Sequence, residues 1–345
     1  MSSKTSPHYL KKLIIQIPCY NEEKTLAITL RDLPRQLPGI DNIEWLVIDD
    51  GCTDKTVEVA KACGVDHVVS HTKNMGLAKS FMTGLYTCLD LEADIIVNTD
   101  ADNQYNADDI PALTEPILAG RADIVVGARP IDSINHFSPI KKILQKLGSR
   151  LVRMTSGTDI PDATSGFRAM SRDAAQQLVV FDNYTYTLET IIQAGQKNMA
   201  ITSVPVCINA NLRPSKLLKN IPSYLMRSAF TIVRIFIVYR PFRFFFSIGA
   251  LLCGLGVFIG LGFLWFYFNG HGGGHIQSLI LASILLGIGF QTMVIAVIAD
   301  LLSVNRKLLE EIRLSLKVIS RYNENSGQKN RHNRRLWSRK ANEGK

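Results

Sequence analysis

Between Phe244 and Ala299 the chain runs for 56 residues without one Asp, Glu, Lys or Arg, and no other feature restricts its folding as much. The stretch holds two apolar runs, 244–268 and 276–302, around the polar hinge Asn269-Gly270-His271-Gly272-Gly273-Gly274-His275. Each run exceeds the about 20 residues that a helix needs to cross a hydrocarbon core. Lipid cannot satisfy irregular backbone, so the hinge is expected at the far surface and the runs as a two-helix transmembrane hairpin. The alternative is a pair of buried helices in a soluble domain.

The flanks orient the hairpin. Arg227, Arg234, Arg240 and Arg243 precede the first run, Arg306, Lys307, Arg313, Lys317 and Arg321 follow the second, and the hinge carries no Lys or Arg. By the positive-inside rule both termini face the cytoplasm, as in a two-span protein of the cell (plasma or inner) membrane. Met1–Lys12 has no apolar core of a signal peptide, so the first 210 residues are expected to stay cytosolic. The net charge of +9 is mostly local, because residues 306–345 hold 12 Lys and Arg against 4 Asp and Glu. Beside a membrane span such a tail attracts anionic headgroups. Nucleic-acid binding does not suit the pattern, since the charge clusters beside the spans with few interleaved aromatics. Past Asn323 the tail is expected to be disordered.

The first 210 residues alternate strand-like and helix-like runs, which argues for an α/β sheet. Leu13–Ile17, Trp45–Ile48, Ile95–Asn98, Ile124–Gly127 and Ile201–Ile208 read as strands. A helix is expected from Asn21 or Glu22 through Leu33, another from a Thr53 or Asp54 cap through Cys63, and a third over Asp108–Ala119. Residues 217–243 mix Leu225, Phe230, Val233, Phe236 and Ile237 with Arg227, Arg234 and Arg240, the pattern of amphipathic helices lying in the membrane interface, broken near Pro241; a plain linker is the other reading. The six cysteines show no C-x-x-C spacing and read as small apolar residues of a cytosolic domain. The expected division is a tail at 1–10, an α/β domain at 11–215, interfacial helices at 216–243, the hairpin at 244–302 and a basic cytosolic tail at 303–345.

Ligands of open α/β sheets bind beyond the carboxyl ends of the strands. The chain has neither a G-x-G-x-x-G turn nor a G-x-x-x-x-G-K-[ST] loop there, so hydride transfer and P-loop chemistry are not indicated. Three polar clusters stand at strand ends instead: Tyr20-Asn21-Glu22, Asp49-Asp50-Gly51-Cys52-Thr53-Asp54, and Asp100-Ala101-Asp102 with Gln104. Two carboxylates at i and i+2 of an extended segment share a face and can converge on one cation. Mg²⁺ and similar ions take oxygen ligands from one or two carboxylates plus substrate phosphates. Alone, Asp-x-Asp reads more readily as a solvated turn with helix-capping aspartates; its place beside two other polar strand ends favours the metal.

In this order and spacing the clusters resemble family 2 glycosyltransferases of the GT-A fold, and more closely the polyprenyl- or dolichyl-phosphate sugar synthases. The resemblance covers about residues 11–215, and the paired spans resemble the anchor of the bacterial members. It implies a GT-A-type, Rossmann-like mixed sheet flanked by helices, followed by interfacial helices and the hairpin. Carried onto this chain, it puts Pro18, Tyr20 and Glu22 in a nucleoside pocket, with Asp50 hydrogen-bonding the base. Lys79, in Asn74-Met75-Gly76-Leu77-Ala78-Lys79, would lie near the donor. Asp100, Asp102 and Gln104 match metal and donor positions, and Asp102 is the ligand expected to coordinate Mg²⁺ or Mn²⁺ directly. Arg129 resembles a phosphate-contacting arginine, with a salt bridge as its other reading. Lys141, in the basic stretch 138–153, is matched to the acceptor phosphate; Arg168, in Ser165-Gly166-Phe167-Arg168, lies under the acceptor side, as a functional group or as a brace. Arg213 and Lys216 match a basic segment closing over the donor diphosphate, and they could equally bind headgroups.

The resemblance also implies partners and chemistry: a nucleotide diphosphate sugar as donor, a polyprenyl phosphate as acceptor, and a membrane-bound cell-envelope glycosyltransferase. Members that glycosylate hydroxyls typically carry a catalytic Asp base and a Q-x-x-R-W motif. Here the segment before Ser165 offers Asp159 and Asp162 but no Glu-Asp pair, and no Q-x-x-R-W occurs. A hydroxyl acceptor needs a positioned base, whereas a lipid phosphate is already anionic. A transferase acting on a glycolipid or polysaccharide hydroxyl and a non-catalytic membrane scaffold are the alternatives. Gly249, Gly254, Gly256 and Gly260 would permit close helix packing, including that of a homo-oligomer.

Overall fold

The computed structural model describes residues 11–130, 153, 157–180, 186–209, 234, 237–270 and 272–343. The chain divides into two units, Met1–Val233 and Arg234–Lys345.

The first unit is built on a seven-stranded sheet: β1 (Lys12–Cys19), β2 (Asn42–Asp49), β3 (His67–Ser70), β4 (Ile95–Asn98), β5 (Ile124–Ala128), β6 (Arg168–Ser171) and β7 (Ile201–Pro205). Their order is β3-β2-β1-β4-β6-β5-β7. All pairs are parallel except those of β6, which runs antiparallel between β4 and β5. The helices are α1 (Leu26–Asp32), α2 (Thr56–Ala62), α3 (Leu77–Asp90), α4 (Ile110–Leu118), α5 (Arg172–Gln177) and α6 (Thr187–Gln196). The continuous apolar character of β1 follows from having both faces covered. Leu13, Ile15, Ile17 and Cys19 join a core with Leu26 and Leu30 of α1, Ala60 of α2, and Ile110 and Leu113 of α4. The alternate residues point the other way, toward α3.

The five expected strands are present, with β1 and β2 longer at both ends and β7 ending at Pro205. Two strands were not legible in the sequence. β3 is a four-residue strand at the sheet edge, and β6 is the run Arg-Ala-Met-Ser, which has no strand signature. β6 forms because its slot between β4 and β5 offers backbone partners on both sides; its register pairs Arg168 with both Asn98 and Val126. The first helix starts at Leu26 instead of Asn21 or Glu22, since Asn21 adopts φ +55° and Glu22 supplies the carbonyl that starts the turn. α2 starts at Thr56, whose amide is capped by Asp54. The third helix is a 3₁₀ turn, Ala107–Asp109, capped by Asn106, running into α4.

Beneath the carboxyl ends of β1 and β4 lies a buried polar network. Gln16 Nε2 donates to Asn98 Oδ1 (2.9 Å), and Asn98 Nδ2 donates to the Gly166 carbonyl and the Tyr186 hydroxyl (both 2.9 Å). Tyr186 in turn stacks on Phe81 of α3 at 3.9 Å. Gln16 and Asn98 are partners in the β1–β4 register, so two polar residues in apolar strands meet and satisfy each other.

The second unit contains α7 (Pro241–Phe268), a 3₁₀ turn (Gly272–His275) and α8 (Ile276–Glu343). α7 and the segment Gly273–Arg306 are long and apolar enough to cross a membrane. They lie bare, with Phe258 77% and Phe290 67% exposed, unlike the core helices of a soluble protein. The two helices pack on each other through Gly249 and Gly256, where an added Cβ would lie 2.8 Å from the Gly289 carbonyl and 2.9 Å from Leu286. Gly254 faces open space and Gly260 is only loosely opposed, because residues 249 and 256 are two helical turns apart on one face and 254 is not. The expected disorder past Asn323 is not found: α8 is helical through Glu343, 68 residues or about 100 Å. The residues there are largely Arg, Lys, Gln, Glu and Asn, and extending a nucleated helix costs far less than starting one.

Replacing Asn98 with Leu orphans Gln16 Nε2 and removes the donor shared by the Gly166 carbonyl and the Tyr186 hydroxyl. The expected loss is about 1–3 kcal/mol, read as a lowered unfolding midpoint of the full-length protein.

Candidate active site

In the order β3-β2-β1-β4 the chain reverses direction across the sheet between β1 and β4. Such a switch point opens a crevice at the carboxyl ends, the place where open α/β sheets bind ligands. The loop after β1 carries Tyr20, Asn21 and Glu22; the loop after β4 carries Asp100, Asp102 and Gln104; β2, on the far side of β1, ends at Asp49 and Asp50. The three expected clusters therefore lie along one edge of neighbouring strands.

The loops after β1 and β2 are tied together. Asn21 Oδ1 accepts from the Thr53 amide (2.8 Å), the Glu22 amide donates to Thr56 Oγ1 (2.9 Å), and the Glu23 amide donates to Asp54 Oδ2 (3.1 Å). Glu22 is buried and its Oε2 accepts from Thr25 Oγ1. Pro18 is buried in β1, paired with Ile48. Tyr20 is 44% exposed, a large ring standing at the crevice mouth.

Asp49 and Asp50 divide their work. Asp49 Oδ1 accepts from the Cys52 amide (2.7 Å) and closes the turn after β2. Asp50 is buried and turns to the segment that leads into α3. Its Oδ1 accepts from His71 Nδ1 (2.8 Å) and the Met75 amide (2.9 Å), and its Oδ2 from the Gly76 amide (2.9 Å). Lys79 lies in the first turn of α3 and is exposed.

The Asp100–Gln104 loop is held from two sides. From α1, Thr29 Oγ1 donates to the Ala101 carbonyl (3.0 Å), and Asp32 accepts from Asn103 Nδ2 (2.8 Å). From beyond β7, Asn209 Nδ2 donates to the carbonyls of Asn103 (3.1 Å) and Tyr105 (3.2 Å). Asn103 takes φ +55°, which curls the loop so that the Gln104 amide reaches Asp102 Oδ1 at 3.3 Å. The Tyr105 hydroxyl accepts from the Gly166 amide at 3.0 Å and so carries the 165–168 segment against the loop. Gly166 is required there, because a Cβ would stand 2.9 Å from the Tyr186 hydroxyl and 3.1 Å from Asp100 Oδ1.

Burial pushes the Asp100 carboxyl up to about 7, and the neighbouring Asp102 charge adds to it against the pull of Arg129 and Arg168. Ionising Asp100 beside Asp102 is therefore disfavoured in the protein alone. Among the described residues no third His, Cys, Asp or Glu completes a metal cage. Two neighbouring carboxylates, one of them hard to ionise where it is buried, fit a hard divalent ion whose other positions belong to water and phosphate oxygens. They do not fit a closed structural site.

The two arginines are placed differently from each other. Arg129, at the end of β5, grips Asp162 through Nε–Oδ2 (2.7 Å) and Nη2–Oδ1 (3.1 Å), and Nη2 also reaches Thr164 Oγ1 (2.9 Å). Burial opposes its charge, but Tyr105, Asp162 and Asp100 outweigh burial and hold the guanidinium well above its ordinary range. Arg168 is fully buried in β6, and burial lowers it. It donates to the carbonyls of Ser165 and Thr187 and to Thr190 Oγ1, bracing the Gly166 turn against α6. Lys141, Arg213 and Lys216 lie outside the described residues, as does nearly all of the basic stretch 138–153 and the segment 216–233.

Asn98, Tyr186 and Asn209 shape the site and were not singled out from the sequence. A polar residue closing an apolar strand was the available signal for Asn98; Tyr186 and Asn209 arrive from distant segments and gave none.

Comparison with known proteins adds to this geometry. Residues 14–179 match the description "Glycosyl transferase family 2". The UDP-N-acetylglucosamine–dolichyl-phosphate N-acetylglucosaminyltransferase of Methanococcus voltae is 30% identical over 218 residues, 57% of this chain and 85% of that protein. The undecaprenyl-phosphate mannosyltransferase of Micrococcus luteus is 26% identical over 56% of this chain and 82% of its own length. Among solved structures, glucosyl-3-phosphoglycerate synthase from Mycobacterium tuberculosis, crystallised with Mn²⁺ and UDP-glucose, superposes with a TM-score of 0.51 at 20% identity, covering 64% of this chain and 79% of that one. At that identity the likeness is one of fold.

A cation binding at Asp100 and Asp102 must displace the proton that Asp100 keeps below about pH 7. Mn²⁺ affinity is therefore expected to fall by up to about tenfold per unit as pH drops below 7 and to level off above it, measured by titration calorimetry between pH 5.5 and 8. In the ion-free protein the sign for stability follows from the raised value. The Asp100 contribution is full below the unfolded carboxyl range and is lost as pH rises through about 7.

Proposed function

The chain belongs to glycosyl transferase family 2, and from that premise we propose that it is a membrane-anchored inverting transferase. It moves a sugar from a nucleotide diphosphate sugar to a polyprenyl phosphate at the cytoplasmic face. The observation that carries this reading is the Asp100–Asp102 pair at the switch point, where burial and then the Asp102 charge push the Asp100 carboxyl up to about 7. The relatives named for dolichyl-phosphate and undecaprenyl-phosphate transfer support the acceptor class. The two bare apolar helices support an anchor.

Asp100, Asp102 and Gln104 would hold Mg²⁺ or Mn²⁺, which when bound supplies charge neutralisation for the departing diphosphate. The chain's own residues do the rest. Tyr20, Glu22 and the segment pinned by Asp50 line the donor side of the crevice. Gly166, pressed against Asp100 by Tyr105 and Asn98, keeps the space beside the carboxylates narrow. Arg129 contributes positive charge from its seat on Asp162. Lys141, Arg213 and Lys216 supply cations for the acceptor phosphate and donor diphosphate in this reading.

A phosphate acceptor is supported by the two carboxylates before Ser165, which among the described residues are committed elsewhere. Asp162 is gripped by Arg129 and Thr164, and its side chain is 1% exposed. Asp159 is 95% exposed and pairs with Arg153. Neither is placed as a base, and a phosphate oxygen needs none. That oxygen attacks C1, the bond from C1 to the diphosphate oxygen breaks with its electron pair leaving on the diphosphate, and configuration inverts. Positioning and charge balance are what the protein must provide.

Membranes containing the protein, supplied with a panel of radiolabelled nucleotide sugars, are expected to yield a mild-acid-labile label in the organic extract. An alkali-stable or chloroform-insoluble product would point instead to a hydroxyl acceptor. Asp102→Ala is expected to lower transfer at least about a thousandfold while leaving the unfolding midpoint near that of the wild type; normal transfer by this variant would sink the metal assignment.

A further inference from the structure

His71 follows β3 and takes no part in the reading above. Its backbone amide donates to the Asp49 carbonyl at 2.8 Å, which fixes it against the end of β2. Its ring is partly buried and both nitrogens are used: Nδ1 lies 2.8 Å from Asp50 Oδ1, and Nε2 lies 3.0 Å from Thr83 Oγ1 in α3. A carboxylate accepts only, so Nδ1 carries the proton toward Asp50. The same carboxylate receives the Met75 and Gly76 amides, the last two before α3. Gly76 opens that helix, its carbonyl accepting from the Lys79 and Ser80 amides. The segment passes so close over the turn after β2 that a Cβ at Gly51, itself at φ +69°, would stand 2.5 Å from the Lys73 carbonyl carbon. The β2 end, the 72–76 segment and the first two turns of α3 are thus joined through one imidazole–carboxylate pair.

Three inward hydrogen bonds, two on Oδ1 and one on Oδ2, hold the Asp50 carboxylate, and its side chain is only 5% exposed. We propose that His71 is a positioning residue for the donor site: it holds Asp50 in the orientation that pins the Met75–Gly76 backbone, so that the 72–76 segment and the start of α3 are set before the nucleotide arrives. Asp50 then acts through that segment. The proposal rests on the nucleotide-sugar reading of the crevice and deepens it.

The test uses the full-length protein in detergent, with two readouts. Hydrogen exchange followed by mass spectrometry reports on peptides spanning residues 72–80, with β1 peptides as the folding control. Calorimetry with UDP and with GDP, each with Mn²⁺, reports donor-side affinity. In His71→Leu, exchange at 72–80 is expected to rise while β1 stays protected. Affinity for whichever nucleotide the wild type binds should fall about tenfold, with the ratio between UDP and GDP unchanged. His71→Asn keeps a short side-chain N–H toward Asp50 and is expected to restore protection and most of the affinity. The double variant His71→Leu/Asp50→Asn should be no weaker than the poorer single variant, because the two residues act as one unit. Unchanged exchange in His71→Leu, or a changed preference between UDP and GDP, would overturn the proposal. A wild-type protein that bound neither nucleotide would overturn the donor reading itself, and this proposal with it, even if exchange at 72–80 responded as expected.

Discussion

Asp100 and Asp102 emerge from a strand with no solvent on either face, and much of the surrounding structure serves to hold that charge in place. β4 is buried at every position. At its end the chain must turn, present two carboxylates to one crevice and keep them from relaxing apart. α1 holds the loop through Thr29 and Asp32, Asn209 holds it from the other side, and Tyr105 brings Gly166 against Asp100. Burial and the neighbouring Asp102 charge both oppose ionisation of Asp100, and many polar side chains are committed to holding this loop of a few residues.

The same economy governs the other strand ends. Asp49 and Asp50 are adjacent and chemically identical, yet one closes its own turn while the other reaches to the segment before α3. Arg129 follows β5 and Arg168 opens β6, but one is an ion-pair partner of Asp162 and the other a buried brace. In each pair the difference lies in which partners the fold brings within 3 Å. Electrostatics near the crevice is therefore a matter of which groups the fold commits to one another.

Much of this was legible beforehand. Continuous apolar runs disclosed five of the seven strands, because strands covered on both faces cannot carry polar residues without a partner. The charge-free stretch disclosed α7 and the apolar part of α8 for the same reason, applied to lipid. The strand-end clusters disclosed the Asp100–Asp102 site, since clustered carboxylates after an apolar run need a purpose. What escaped was what depends on partners far along the chain. β6 exists only because β4 and β5 leave a slot for it, and Arg-Ala-Met-Ser carries no preference of its own. α3 was visible only as the loop that leads into it. The helical continuation past Asn323 was missed because composition was read as solubility, while helix propagation depends on what precedes it.

The amino-acid sequence by itself determined the α/β class, the two long apolar helices and the residues available for chemistry, because burial and backbone satisfaction are enforced residue by residue along the chain. Only the tertiary structure decided how those residues are employed. It is the fold that spends Asp50 on a backbone segment through His71, Asp162 on Arg129 and Arg168 on the Gly166 turn, and that leaves Asp100 and Asp102 facing each other. A side chain's role follows from the groups within hydrogen-bonding distance and from the dielectric around it, and both are properties of contacts made across 20 to 100 residues of intervening chain.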